Sequence, residues 1–162
     1  MKNKILISLV VILTGMLVSV GIYLYQKSAD KGMLNFECFS EFTFMLGENE
    51  SLPSESAILR YHAKPDGTGL YSVDGIFETD KEKYRIARTI HFTYKPYGND
   101  TYHFTITRVE KNQRDNIPEA LYSNYLSDWV GVTRVSRITR LGRDAYVLGT
   151  ATTPMLICTR FR

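Results

Sequence analysis

Residues 83–94 read KYRIARTIHFTY, and in them Tyr84, Ile86, Arg88, Ile90, Phe92 and Tyr94 alternate with Arg85, Ala87, Thr89, His91 and Thr93. Successive side chains of a strand point to opposite faces, so this period of two marks a strand with one buried face. Immediately downstream, Pro96, Gly98 and Asn99 supply a turn, and 101–110, TYHFTITRVE, returns as a partner strand. Upstream, 68–79 and 56–63 carry the same signal, with Gly67 and Gly69 at the entry of the former and Gly75 placed for a bulge. Further back, Phe36, Cys38, Ser40, Phe42, Phe44 and Leu46 share one face of a first strand. The period breaks at Asp115. Asp115 or Asn116 suits the cap of a helix over 118–127, with Pro118 and Glu119 in its first turn and Leu121, Tyr122, Tyr125 and Leu126 along one side. Strand patterns resume over 132–141, 145–150 and 154–161, the first two joined by the turn Gly142-Arg143-Asp144. The expected fold is mainly β (α+β), an antiparallel sheet or small barrel-like domain of seven to eight strands with one helix.

Ahead of this domain, residues 5–25 form a run of 21 residues without a charge. About 20 apolar residues cross a hydrocarbon core of roughly 30 Å as a helix, which satisfies its own backbone hydrogen bonds. The run exceeds the roughly 7–15 apolar residues of a cleavable signal peptide and ends in Tyr23 and Tyr25, so it reads as an uncleaved transmembrane signal anchor. Lys2 and Lys4 precede it and Lys27 and Lys31, with Asp30, follow it; that balance favours a cytoplasmic N-terminus. The expected organisation is a cytoplasmic head at 1–4, the anchor at 5–25, a tether at 26–34 and a periplasmic β-rich domain at 35–162 in the bacterial inner membrane.

Two cysteines, Cys38 and Cys158, lie near the two ends of that domain. An oxidising compartment sustains disulfides and a reducing one rarely does, so a Cys38–Cys158 bridge agrees with export. Two unrelated buried thiols are the alternative. The spacing excludes a CxxC motif and a structural zinc site.

Little in the chain points to catalysis. No GxSxG, HExxH, P-loop or dinucleotide fingerprint occurs, and the chain is not expected to be an enzyme or to need a cofactor or a metal. A formal charge of +3, dispersed along the chain, gives no reason to expect direct nucleic-acid binding. His62, His91 and His103 are the only histidines; they read as exposed strand residues, with pH sensing as the functional alternative. Arg134, Arg137, Arg140 and Arg143 recur at every third position, which on a strand sends them to alternating faces. They read as a solvated edge or as a contact for a partner or an anion. Arg88 stands on the apolar parity of its strand and needs a carboxylate; Asp74, in phase with Leu70 and Ile76, is its expected partner in a structural ion pair.

The short head, the single anchor, the cysteine of the first strand, the run Arg88-Thr-Ile90-His-Phe92-Thr-Tyr94, the segment Asp115-Asn-Ile-Pro118 and a cysteine four residues from the end together resemble the FidL-like and PsaF/MyfF-type small inner-membrane proteins. These are similar to ToxS, the companion of the ToxR activator. The resemblance implies a membrane-anchored companion that binds, and stabilises or activates, the periplasmic domain of a ToxR-like transmembrane transcription activator. The controlled output would be fimbrial, adhesin or virulence genes. It implies no catalytic residues. A barrel shared between two proteins would also offer a mouth for a small amphipathic ligand. The alternatives are a periplasmic ligand- or pH-sensing module and an assembly factor for surface fibres.

Overall fold

A computed structural model describes residues 12–23, 32–45, 53–126 and 129–160. The chain divides into two compact units, one ending at Gly32 and one beginning at Met33. In the first, 12–23 is helical (α1) and its apolar side chains, Leu17 and Met16 among them, are exposed. No helix among the described residues is long and apolar enough to cross a membrane. Residues 5–11, 24 and 25 of the expected span lie outside the described residues, as do Leu46 and Ser127.

The second unit is an antiparallel β-barrel whose strands neighbour one another in chain order: β1 (Phe36–Met45), β2 (Ser54–Ala63), β3 (Thr68–Glu78), β4 (Lys83–Gly98), β5 (Thr101–Lys111), β6 (Thr133–Leu141), β7 (Ala145–Thr150) and β8 (Pro154–Thr159). Helix α2 (Glu119–Tyr125) sits between β5 and β6. Alternation explains the interior. On β1, Phe36, Cys38 and Ser40 are buried between exposed Glu37 and half-buried Phe39, and on β4 the inward set is Ile86, Arg88, Ile90, Phe92 and Tyr94, with Ala87 of the outer parity also buried.

β3 departs from the expected parity. Its inward side chains are Tyr71, Val73 and Phe77, not Leu70 and Ile76, because Val73 lies opposite inward Arg88 and Phe77 opposite Tyr84. Gly75 is no bulge either; the β2–β3 and β3–β4 ladders run through it unbroken. A Cβ there would lie 2.3 Å from both the Ala57 Cβ and the Ser56 carbonyl oxygen, so the glycine permits a close backbone approach. The bulge falls on β5 instead. His91 pairs with Arg108 and Phe92 with Ile106, which leaves Thr107 extra. That insertion flips the strand's parity, so Tyr102, Phe104 and Ile106 point inward above it and Lys111, opposite Arg88, lies on the inner side below it.

β4 and β5 turn through Asn99 and Asp100, both at positive φ (47° and 60°), a geometry that short polar side chains tolerate. Entry to the barrel is pinned from inside. The Tyr94 hydroxyl accepts from the Leu34 N–H at 2.8 Å and faces the carbonyls of Leu34 at 3.0 Å and Lys64 at 2.5 Å.

Among the described residues the barrel closes between β1 and β8 through one register pair, Phe39–Thr159. Beside it the Ser40 hydroxyl donates to the Ile157 carbonyl at 2.7 Å, and Cys38 is bonded to Cys158 with Cα atoms 5.4 Å apart. Both cysteines are fully buried. In the chain-entropy picture a bridge between residues 120 apart destabilises the unfolded chain by about 5 kcal/mol. Replacing both cysteines by serine should lower unfolding free energy by about that amount, read from urea titrations of the oxidised parent and the variant. Gly75→Ala should cost about 1–3 kcal/mol through overpacking; an unchanged urea midpoint would refute the close-approach reading.

Candidate functional site

The barrel interior holds two apolar clusters. The larger gathers aromatic rings from several strands: Phe36 stacks on Tyr146 at 4.0 Å between centroids, Tyr61 on Tyr71 at 6.0 Å, and Phe92 meets Phe104 edge-on at 5.1 Å. Burial, and then the neighbouring Tyr94 and Tyr102, pushes the Tyr61 hydroxyl well above the usual phenol range. It is a neutral hydrogen-bonding group at any physiological pH. The smaller cluster, Phe77, Ile86, Ile117 and Tyr122, joins β3 and β4 to the segment carrying α2.

The rings do not fill the interior. A cavity of about 200 Å³ is lined by Tyr61, Tyr71, Phe92, Phe104, Ile138 and Leu148 together with Arg134 and Ser136. A second chamber of about 310 Å³ lies toward α2, lined by Phe42, Phe44, Val73, Ile86, Tyr122 and Leu126 with the buried carboxylate residue Glu55. Tyr71, Arg134, Met155 and Leu156 line both. Such a lining suits a small, mostly apolar guest with a polar end. Arg134 is half-buried, with its guanidinium carbon 5.9 Å from the centre of the exposed Trp129 ring.

Below the second chamber lies the charged knot of the molecule. Arg88, on the inward face of β4, donates through Nε to Asp115 Oδ2 at 2.9 Å and through its terminal nitrogens to Glu119 at 2.8 and 3.0 Å. Its guanidinium lies 3.5 Å from the Tyr122 ring centre. Lys111 Nζ adds contacts to Asp115 at 3.3 Å and Glu119 at 3.1 Å. Asp115 is fully buried and also accepts the Ala87 N–H at 3.0 Å. The hydrogen bond from Arg88, ahead of the contact with Lys111, holds the Glu119 carboxyl below its ordinary value. Burial alone would lower the Arg88 value, but the Glu119 and Asp115 carboxylates raise it.

This corrects the expected pairing of Arg88 with Asp74. Asp74 lies on the outer face, opposite Ala87, and binds Arg85 at 2.6 Å, so the barrel wall separates it from Arg88. It also corrects the expected cap. No side chain caps α2; Asp115 is drawn to Arg88, and Asn116 Oδ1 accepts the Arg85 N–H at 2.6 Å.

Of the other candidates, Arg134 and the exposed Arg137 both line the first cavity, whereas Arg140 donates to the carbonyls of Gly142 and Arg143, bracing the β6–β7 turn that contains Arg143. His62 pairs across from Glu37, His91 lies 3.3 Å from Glu110 and 3.4 Å from Arg108, and His103 stacks on Tyr97 at 4.5 Å. Among the described residues no group of His, Cys, Asp and Glu could hold a metal ion. The sequence reading missed the chambers, because only the closed barrel reveals which inward rings fail to meet.

The fold and interior define a class: a small disulfide-closed β-barrel with an apolar chamber and a charged plug at one end. The family described as "FidL-like putative membrane protein" matches residues 75–158, just over half of the 162-residue chain. The chain belongs to that family. No curated protein matches it.

Removing one partner of a buried ion pair leaves an uncompensated charge, so Asp115→Ala should cost about 3–5 kcal/mol in a urea titration. Replacing Arg88 and Asp115 together by Met and Leu should recover most of that loss. A depressed carboxyl stabilises above its unfolded value and loses that contribution as pH falls through the folded value. The Glu119 share should therefore fade below about pH 4.5 in the parent, and the same part of the acid limb should be absent in Glu119→Gln.

Proposed function

We propose that this protein is a membrane-anchored regulatory companion whose periplasmic barrel binds, and stabilises or activates, the periplasmic domain of a ToxR-like transcription activator. Residues 5–25 serve as the anchor, with the N-terminus in the cytoplasm. The described part of that run is helical, and its apolar side chains are exposed, as lipid-facing side chains would be. The controlled genes encode fimbriae, adhesins or other virulence factors.

The observation that carries this reading is the combination of an apolar chamber with an incomplete wall. Among the described residues β1 pairs with β2 along its whole length, but with β8 at Phe39 alone. The remaining edge of β1, Glu41–Met45, offers backbone groups to a strand of a partner, and Phe42 and Phe44 beside it line the chamber. A modest interface suffices, because confinement of both proteins to one bilayer raises their effective concentration. The second reading, a sensing module, is favoured by the same chamber, which suits a small amphipathic ligand; the two readings merge if the ligand binds only the paired proteins.

Co-expression of the full chain with a ToxR-like activator and capture from mild detergent tests the proposal. Both proteins should co-elute, and the activator's periplasmic domain should resist proteolysis at least about tenfold longer than alone. Equal half-lives with and without the companion would defeat it.

A further inference from the structure

The geometry points to α2 as a latched lid over the lower chamber, hinged at Ile117–Pro118 and held shut by Glu119. This rests on the reading of the chamber as a ligand site and names the route by which it fills.

The hinge side is fixed to the barrel. The Asn112 N–H donates to the Ala87 carbonyl at 2.9 Å and the Asn116 N–H to the Arg85 carbonyl at 3.1 Å. Asp115 and Asn116 return side-chain bonds to the same strand, and Ile117 is fully buried. Past Pro118 the backbone bonds to the barrel give way to side-chain contacts: Glu119 on Arg88, the Tyr122 ring against the same guanidinium and Tyr125 against Phe77 at 5.6 Å. α2 is seven residues long and has no side-chain cap, far short of the roughly 12–15 residues a helix needs to persist alone. Tyr122 is its one buried side chain. Its charged tie to the barrel is Glu119, whose side chain is 66% exposed while the Arg88 it grips is 4% exposed.

That asymmetry makes a latch. The receiving half, Arg88 with Asp115, stays neutralised inside the wall when α2 leaves, so opening strands no buried charge. The moving half returns its carboxylate to water at little cost. Among the described residues the charged groups facing Glu119 are Arg88 from β4, Lys111 from β5 and Asp115 from the hinge. The underside of α2, Tyr122 and Leu126, forms part of the chamber, which meets the upper cavity at Tyr71 and Met155. Lifting α2 therefore exposes a continuous path to the aromatic interior.

The test uses the full chain in phospholipid nanodiscs, with Glu119→Gln as the variant and Lys83→Gln, which breaks the exposed pair with Glu78, as the control. Amide exchange over 119–126 should accelerate about tenfold in Glu119→Gln while β3 and β4 stay unchanged. Uptake of the uncharged fluorophore phenylnaphthylamine, followed by stopped flow, should accelerate at least about threefold; high salt should do the same to the parent and add nothing to the variant. Unchanged exchange over α2 would overturn the latch. Faster exchange with unchanged uptake would overturn the portal. A parent that takes up no fluorophore, with α2 exchange still accelerated by the variant, would sink the ligand reading and the portal with it while leaving the latch standing.

Discussion

The barrel depends on the closure of its weakest ladder. From β1 to β5 successive strands are joined by long antiparallel ladders. The last contact, between β8 and β1, has one register pair among the described residues and joins residues about 120 positions apart. Few backbone bonds repay the entropy of closing so long a loop. The Cys38–Cys158 bond does this covalently, at the level where Phe39 meets Thr159, and so replaces a ladder that six-residue β8 cannot supply. The consequence is a wall that is sealed at one end of the seam and open at the other. The same feature that weakens the fold provides the strand edge on which the proposed function rests.

The second organising element is Arg88. A guanidinium on the inner face of a barrel would ordinarily be costly, and Asp115, buried and accepting a backbone N–H as well, makes it tolerable. The pairing dictates where the connection from β5 to β6 must run, since Asp115 has to be brought across the end of the barrel to reach it. The bulge at Thr107 completes the arrangement, because the flipped parity of β5 places Lys111 on the same side. The charged knot therefore positions a connection, and α2 follows from it.

Much of this architecture was legible from residue patterns, and the failures have physical causes. Alternation in 36–44 and 84–94 identified the buried faces because one parity there is plainly more apolar. In β3 both parities carry apolar residues, Leu70 and Ile76 on one and Tyr71, Val73 and Phe77 on the other, and only pairing with β4 selects between them. The cap of α2 was misread because Asp115 satisfies two possible needs. A helix cap is worth about 1 kcal/mol, whereas leaving Arg88 buried and unpaired would cost several times more, so the guanidinium wins. Asp74 was misassigned for the same reason as β3, since its parity places it outside the wall. β4 continues through Pro96 to Gly98, beyond the expected turn, because the ladder's register shifts between those two residues and accommodates the proline. The chambers lay beyond pattern reading altogether, since a void depends on distances between rings on non-adjacent strands.

Tyr94 has a mechanical consequence. Its hydroxyl grips the main chain at Leu34 and Lys64, so the segment that leads into β1 is moored to β4 beside the first residue of β3. A tug arriving along the polypeptide from before Met33 is therefore borne by a phenol rooted in β4, the longest strand, before it can peel β1 from its neighbour. Phe36, stacked on Tyr146, lies just behind that mooring. Tension along that segment would load β4 before it reached β1 and the bridge that Cys38 makes.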